Sequence, residues 1–407
     1  MKAVIKLMLM MLFIYTLTFD IFLNQYFRIP SPIITCIPLI VLFRYKAVGF
    51  WYTREIIVLT VSVLLYYLVG TNNLKAFSIN IFVLVTTALY FNYFVGLSTS
   101  RLNKSIFFFA VFLLFSVIVL LLNQFYGSSI IRVRSILIGA PIQQSPSGIA
   151  SSIFTFGYQL AAIVTFIFIY TCTSSKNIFI IISVLFICLL SIYLGLQRSV
   201  LVAFLLSVFL FFLFYYKSKA IIIVVIAVAS GFFLFYSIQT TYIGSDNILA
   251  KNERTEGGGS RAGLVTENLK IITDYPYGLI FHGQTWDDVS KRNSAFRGGL
   301  TSHNAYLMFV TYLGPFLGIG LLIFLYYRIA GIFKRVIVYS RLKENALLLS
   351  LCFAFLAVSL NALFHNAWLL NTNGPTVFLY FSILHLSKQM EVKGDSLLES
   401  DRSIQVN

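Results

Sequence analysis

Apolar stretches of about twenty residues, separated by short polar breaks, recur along almost the whole chain. A run of that length is what an α-helix needs to cross the hydrocarbon core of a bilayer. The pattern predicts about twelve spanning helices. They fall at residues 4–24, 31–44, 54–71, 77–97, 105–124, 151–172, 177–195, 199–216, 219–241, 304–327, 345–364 and 371–387. One segment departs from the rhythm: residues 243–302 are long and polar. The predicted organisation is therefore nine helices over 1–242, a large polar loop over 243–302, three helices over 303–388 and a polar tail over 389–407. Within the loop, AGLVTENLKII (262–272) has helical spacing and stops ahead of Pro276 and Gly278. A second polar stretch, 125–150, carries Pro141, Pro146 and Gly148, which are expected to break regular structure there.

Composition sharpens this picture. The 407 residues are 59% hydrophobic and 11% charged, with a mean hydropathy of +0.88, where soluble domains carry roughly 25% charged residues. The expected class is an all-α polytopic membrane protein of a bacterial inner membrane. The net charge of +16 does not point to nucleic acid, because no basic stripe with interleaved aromatics occurs. Eighteen of the 30 basic residues fall in segments that alternate onto one side, against five in the short loops of the other. That bias places both termini in the cytoplasm and the large loop in the periplasm. The four cysteines lie inside apolar runs without CxxC spacing, so neither a disulfide framework nor a metal site is expected. The first run has a basic start but no small-residue cleavage site and is kept as a helix.

Three residues on the periplasmic side carry candidate chemistry. Arg198, in LGLQRSVLVAF, sits at a turn between two spans. An arginine at membrane depth is functional or snorkels to the interface. Arg261, in EGGGSRAGL, opens the loop helix, where backbone amides and a guanidinium suit a phosphate-like anion. The alternative is an ordinary solvated arginine in a flexible loop. His303, in GGLTSHNAYLMFV, stands where the loop turns into an apolar run, with Ser302 a candidate cap. On its own it reads as a helix-end histidine; the other reading is a base that takes a proton from a hydroxyl. His365 is a secondary candidate at the end of a span, His282 is mid-loop and His385 lies towards the cytoplasm. Asp20, inside the first predicted span, reads as a carboxylate packed inward, with a relay role the alternative.

These features, taken in order along the chain, resemble the O-antigen polymerase and O-antigen ligase superfamily of membrane glycosyltransferases. The resemblance rests on the arginine-serine pair of QRSVLVAFLL, on Arg261 followed by a helix and Pro276-Tyr277-Gly278, and on SHNAYL followed by Gly314 and Gly318. The stretch RVRSILIGAPIQQSPSG also looks like that family's other external loop, and the match covers about residues 130–390. Where the family's loop often has a GxG pair after proline, this chain has GLIFHG (278–283).

The resemblance implies a GT-C-like fold and a periplasmic site without a cofactor or metal. Arg198 and Arg261 would hold the diphosphate of an undecaprenyl-diphosphate-linked oligosaccharide, and His303 would deprotonate the acceptor hydroxyl. Arg132, Arg134, Tyr306, Trp286, Tyr275 and His365 are the expected acceptor or glycan contacts. Membrane lipids and a chain-length regulator are the further partners it implies. The leading expectation is a polymerase, favoured by the richness in Phe (41) and Tyr (24); a ligase to the lipid A core uses the same donor chemistry. A lipid-linked oligosaccharide flippase is the reading from another class. Internal pseudo-symmetry would favour it, and a large external loop ending in SHNAYL speaks against it.

Overall fold

The computed structural model describes residues 1–23, 29–45, 49–217, 261–291, 302–371 and 373–392, without the side chains of residues 128, 261 and 262. The predicted span 219–241 lies outside the described residues, as do 243–260 and 292–301 of the large loop. Among the described residues the structure is helical, apart from an isolated bridge between Phe22 and Pro30.

The helices are α1 (Lys2–Thr18), α2 (Pro32–Phe43), α3 (Thr53–Val63), α4 (Leu74–Leu89), α5 (Thr99–Tyr126), α6 (Ser128–Ile138), α7 (Ile153–Ser174), α8 (Ile178–Leu194) and α9 (Arg198–Tyr216). Then come α10 (Arg261–Asp274), α11 (Trp286–Ser290), α12 (Ala305–Leu313), α13 (Pro315–Val338), α14 (Ala346–Asn361) and α15 (Gly374–Val392). α3 and α4 run on as π-helical turns, Leu64–Gly70 and Tyr90–Val95. Starts are set locally: the side chains of Asn73, Ser98, Ser152, Asn177 and Asn304 each accept a backbone N–H of the first turn.

Among the described residues, seven helical segments are long and apolar enough to cross a membrane, and α2 and α8 are apolar but shorter. α7 and α14 form the centre and pack along each other. Two thirds of each apolar stretch (67%) is buried, against 22% in the peripheral α13. Large apolar side chains point outward, such as Phe179 at 76% and Phe316 at 83% exposure. A bundle with an apolar core and an apolar exterior fits a hydrocarbon solvent rather than water.

Polar contacts at the helix ends gather in two layers. At one, which we call the Asp20 end, Gly374 N–H donates to Asp20 (2.9 Å) and Tyr15 to the Leu137 carbonyl (2.7 Å). At the other, the Glu55 end, Arg101 donates to the carbonyls of Phe43 and Phe94, and Arg335 pairs with Glu391.

Three sequence expectations change here. The predicted span 304–327 is two helices, because Gly314 (φ 77°) and Pro315 break the run that hydropathy reads as continuous. Residues 128–138 form a helix, since Gly127 (φ 46°) precedes it and Pro141, Pro146 and Gly148 lie after it. Asp20 stands beyond the end of α1 in a left-handed conformation (φ 53°), where it binds the first amide of α15.

Candidate functional site

The Asp20 end collects most of the residues singled out from sequence. The turn between α8 and α9 is closed by Leu196 in a left-handed conformation (φ 50°) and by the buried Gln197, whose amide donates to the Ile153 carbonyl (2.8 Å). Arg198, half-buried, is thereby the first residue of α9, and Ser199 follows it into the core. The Ser199 hydroxyl is 2.9 Å from Nε2 of His365.

His365 is the hub. It is 5% exposed, sits just after α14, and its ring lies 5.1 Å from that of Phe154 on α7. Its carbonyl accepts the N–H of Ala305, the first residue of α12 (2.9 Å). A histidine that sequence reading ranked second therefore ties α9, α7 and α12 together. No local signal marks this, because Ser199 is 166 residues away.

His303 occupies the turn before α12 in a left-handed conformation (φ 50°), and its ring is 6.4 Å from the same Phe154 ring. Such a backbone is uncommon outside glycine and needs surrounding structure to hold it. That support is visible. Ser302 bonds the Asn304 backbone, and Asn304 accepts the Leu307 N–H (2.9 Å). The cap is thus Asn304 rather than Ser302, because the helix begins at Ala305. Phe154, 42% exposed, stands against both imidazoles.

The large loop docks on this assembly through α10. Thr311 donates to the side chain of the buried Asn268, whose amide meets the Met308 sulfur (3.6 Å). Arg261 supplies the first backbone position of α10, but its side chain lies outside the described residues. Pro276-Tyr277-Gly278 and Gly314 are in contact. A Cβ on Gly278 would meet the Gly314 nitrogen at 2.3 Å. Two motifs far apart in sequence thus meet backbone to backbone.

Three expected glycan contacts are otherwise engaged. Arg134 is fully buried, donating to the Gly148 carbonyl (2.9 Å), Asn123 (3.1 Å), Ser145 (3.3 Å) and Ser147. Burial among neutral partners lowers its pKa from the usual arginine value. It staples the 139–151 loop, while Arg132 is exposed. Trp286 is 2% exposed in a small core with Ile271, Leu279 and Met308, so it offers no open face. The Tyr306 hydroxyl is held by Tyr326 (2.9 Å) and the Ser359 carbonyl (3.0 Å). Each was read as a ligand contact because aromatic and basic residues near loops look alike in sequence whether buried or open. Tyr275 is half-buried against the ring of His282.

The geometry brings two imidazoles to one open aromatic ring, with Arg198 the first residue of the helix whose Ser199 meets His365. Such a set can hold an anion and move a proton. Among the described residues no group of three His, Cys, Asp or Glu side chains is placed to hold a metal ion. No protein-family model matches the chain, and no curated protein matches it.

Proposed function

We propose that the protein is a membrane glycosyltransferase of the O-antigen polymerase kind. In this reading about twelve helices span a bacterial inner membrane, both termini are cytoplasmic, and the Asp20 end with the large loop faces the periplasm. The donor is a glycan on undecaprenyl diphosphate, and the acceptor is another lipid-linked repeat. One observation carries the reading: the arginine-serine turn and the SHNAYL turn, over a hundred residues apart, converge on His365 and Phe154.

The chemistry asked of the site is modest. The acceptor hydroxyl attacks the anomeric carbon, the bond from that carbon to the diphosphate oxygen breaks, and the diphosphate leaves with the electron pair. His303 takes the hydroxyl proton. Arg198, joined by Arg261, neutralises the leaving group with a planar fork that stays charged. A lipid diphosphate is already a good leaving group, so positioning and charge neutralisation supply the rest.

The test is the surface polysaccharide made by the host. His303→Ala, with the protein still in the membrane, is expected to give lipid A core carrying a single repeat. Bare core with accumulated lipid-linked polymer would assign the protein as a ligase instead. An unchanged polymer ladder would remove His303 from the chemistry. Arg198→Lys is expected to shorten the ladder, because a point charge does not replace the fork.

A further inference from the structure

Outside the chemistry described so far, the Asp20 end holds two adjoining cavities of about 290 and 520 Å³. Asp20, Phe22 and Thr155 line both. Their combined size is in the range of small-ligand sites. The walls are mixed: a carboxylate (Asp20), a cation (Lys75), amides (Asn73, Gln143, Asn371) and a hydroxyl (Thr155) stand among apolar side chains, with Phe22 shared by both cavities. Such a wall both donates and accepts, as sugar hydroxyls do.

Asp20 is built into place rather than left there by a fraying helix. Its left-handed backbone (φ 53°) costs conformational energy, and one carboxylate oxygen is fixed by Gly374 N–H at 2.9 Å. Among the described residues its other oxygen has no protein partner, and the carboxylate lies against both cavities. The chain segments that carry the candidate site also contribute to the lining. Thr155 directly follows Phe154, the ring against which His303 and His365 stand, and Ala367 in the lining is two residues past His365.

We propose that these cavities, joined at Asp20, are the saccharide subsite that seats the acceptor end of the glycan, with Asp20 and Thr155 bonding its hydroxyls. The substrate rests on the glycosyltransferase reading above; the site itself rests on the cavity and its lining.

The test uses the full chain in nanodiscs and the free repeat oligosaccharide released by mild hydrolysis of the host's polysaccharide. Binding is followed by saturation-transfer NMR and titration. Asp20→Asn keeps an oxygen for Gly374 N–H and removes the charge, and it is expected to raise Kd about tenfold. Thr155→Val keeps the backbone N–H that Ser152 caps, loses the 3.0 Å contact between the two hydroxyls, and is expected to raise Kd about fivefold. His303→Ala, outside the cavities, should lose polymer while still binding the oligosaccharide more tightly than either cavity variant. Wild-type affinity in both cavity variants, or no binding by the wild-type protein, overturns the subsite. If that happens while His303→Ala still abolishes polymer, the glycosyltransferase reading stands alone. If His303→Ala polymerises normally yet the cavity variants bind weakly, the subsite stands and the reaction assigned to it falls.

Discussion

Arg134 shows how much of a residue's role is set by partners that sequence leaves unmarked. In RVRSILIG it is one of two arginines in an external loop, equally suited to a phosphate or a sugar. In the fold its guanidinium is buried and spread over Gly148, Asn123, Ser145 and Ser147, none of them acidic. The cost of burying a cation is met there by hydrogen bonds rather than by a counter-ion. Arg134→Lys keeps the charge but cannot reach four acceptors, so we expect a loss of about 2–3 kcal/mol. Thermal unfolding of the purified variant in detergent reads this directly, and faster proteolysis within 139–151 should accompany it. A variant as stable as wild type would return Arg134 to the list of ligand contacts. The place of His303 at the start of a helix was legible, because it stands at a polar-to-apolar boundary. The importance of His365 was not, since it depends on Ser199 and Ala305 being folded against it.

At the scale of elements, hydropathy read the helices well and their interruptions poorly. Apolar character runs unbroken through Leu313, Gly314 and Pro315, yet the chain turns there because Gly314 has φ 77° and Pro315 can only start a helix. The Gly-Pro pair was present to be read; what it makes room for was not. Gly278 packs into that break at φ 97° and ψ 154°, a conformation essentially confined to glycine. Gly278→Ala is therefore expected to lose about 3 kcal/mol or more, from strain and from the clash with the Gly314 nitrogen. Gly283 is the built-in control. It also has positive φ (61°), but a Cβ there would meet nothing within 4 Å, so its alanine variant should lose only about 1 kcal/mol. Equal melting temperatures for the two variants would mean that the contact between the loop and the break contributes little. Unequal ones would make the large loop a docked part of the site.

Over the whole molecule, the apolar helices were legible, and several arginines lie in the layer at the Glu55 end. Arg44, Arg54 and Arg101 lie over the rings of Tyr93, Tyr327 and Phe94 in that layer, and Lys388 pairs with Glu391. Glu55 was not legible, because one acidic residue at a helix start reads as first-turn charge. Folded, its carboxylate is 4% exposed and 2.7 Å from Arg328, which joins α3 to α13. Its second oxygen has no hydrogen-bond partner among the described residues. α13 continues from α12, whose start carries the His303 turn, so this pair anchors the far end of the helix pair that presents the candidate base. Removing one partner strands a buried charge, whereas removing both leaves an apolar contact. Glu55→Leu is expected to destabilise by roughly 2–3 kcal/mol, a value lowered because the Arg328 side chain is 32% exposed. Glu55→Leu combined with Arg328→Met should recover most of that loss. A double-mutant cycle on unfolding in detergent measures the coupling. Strict additivity would show that the pair does not hold the helices together, and any fall in transfer rate in the single variant would then need another cause.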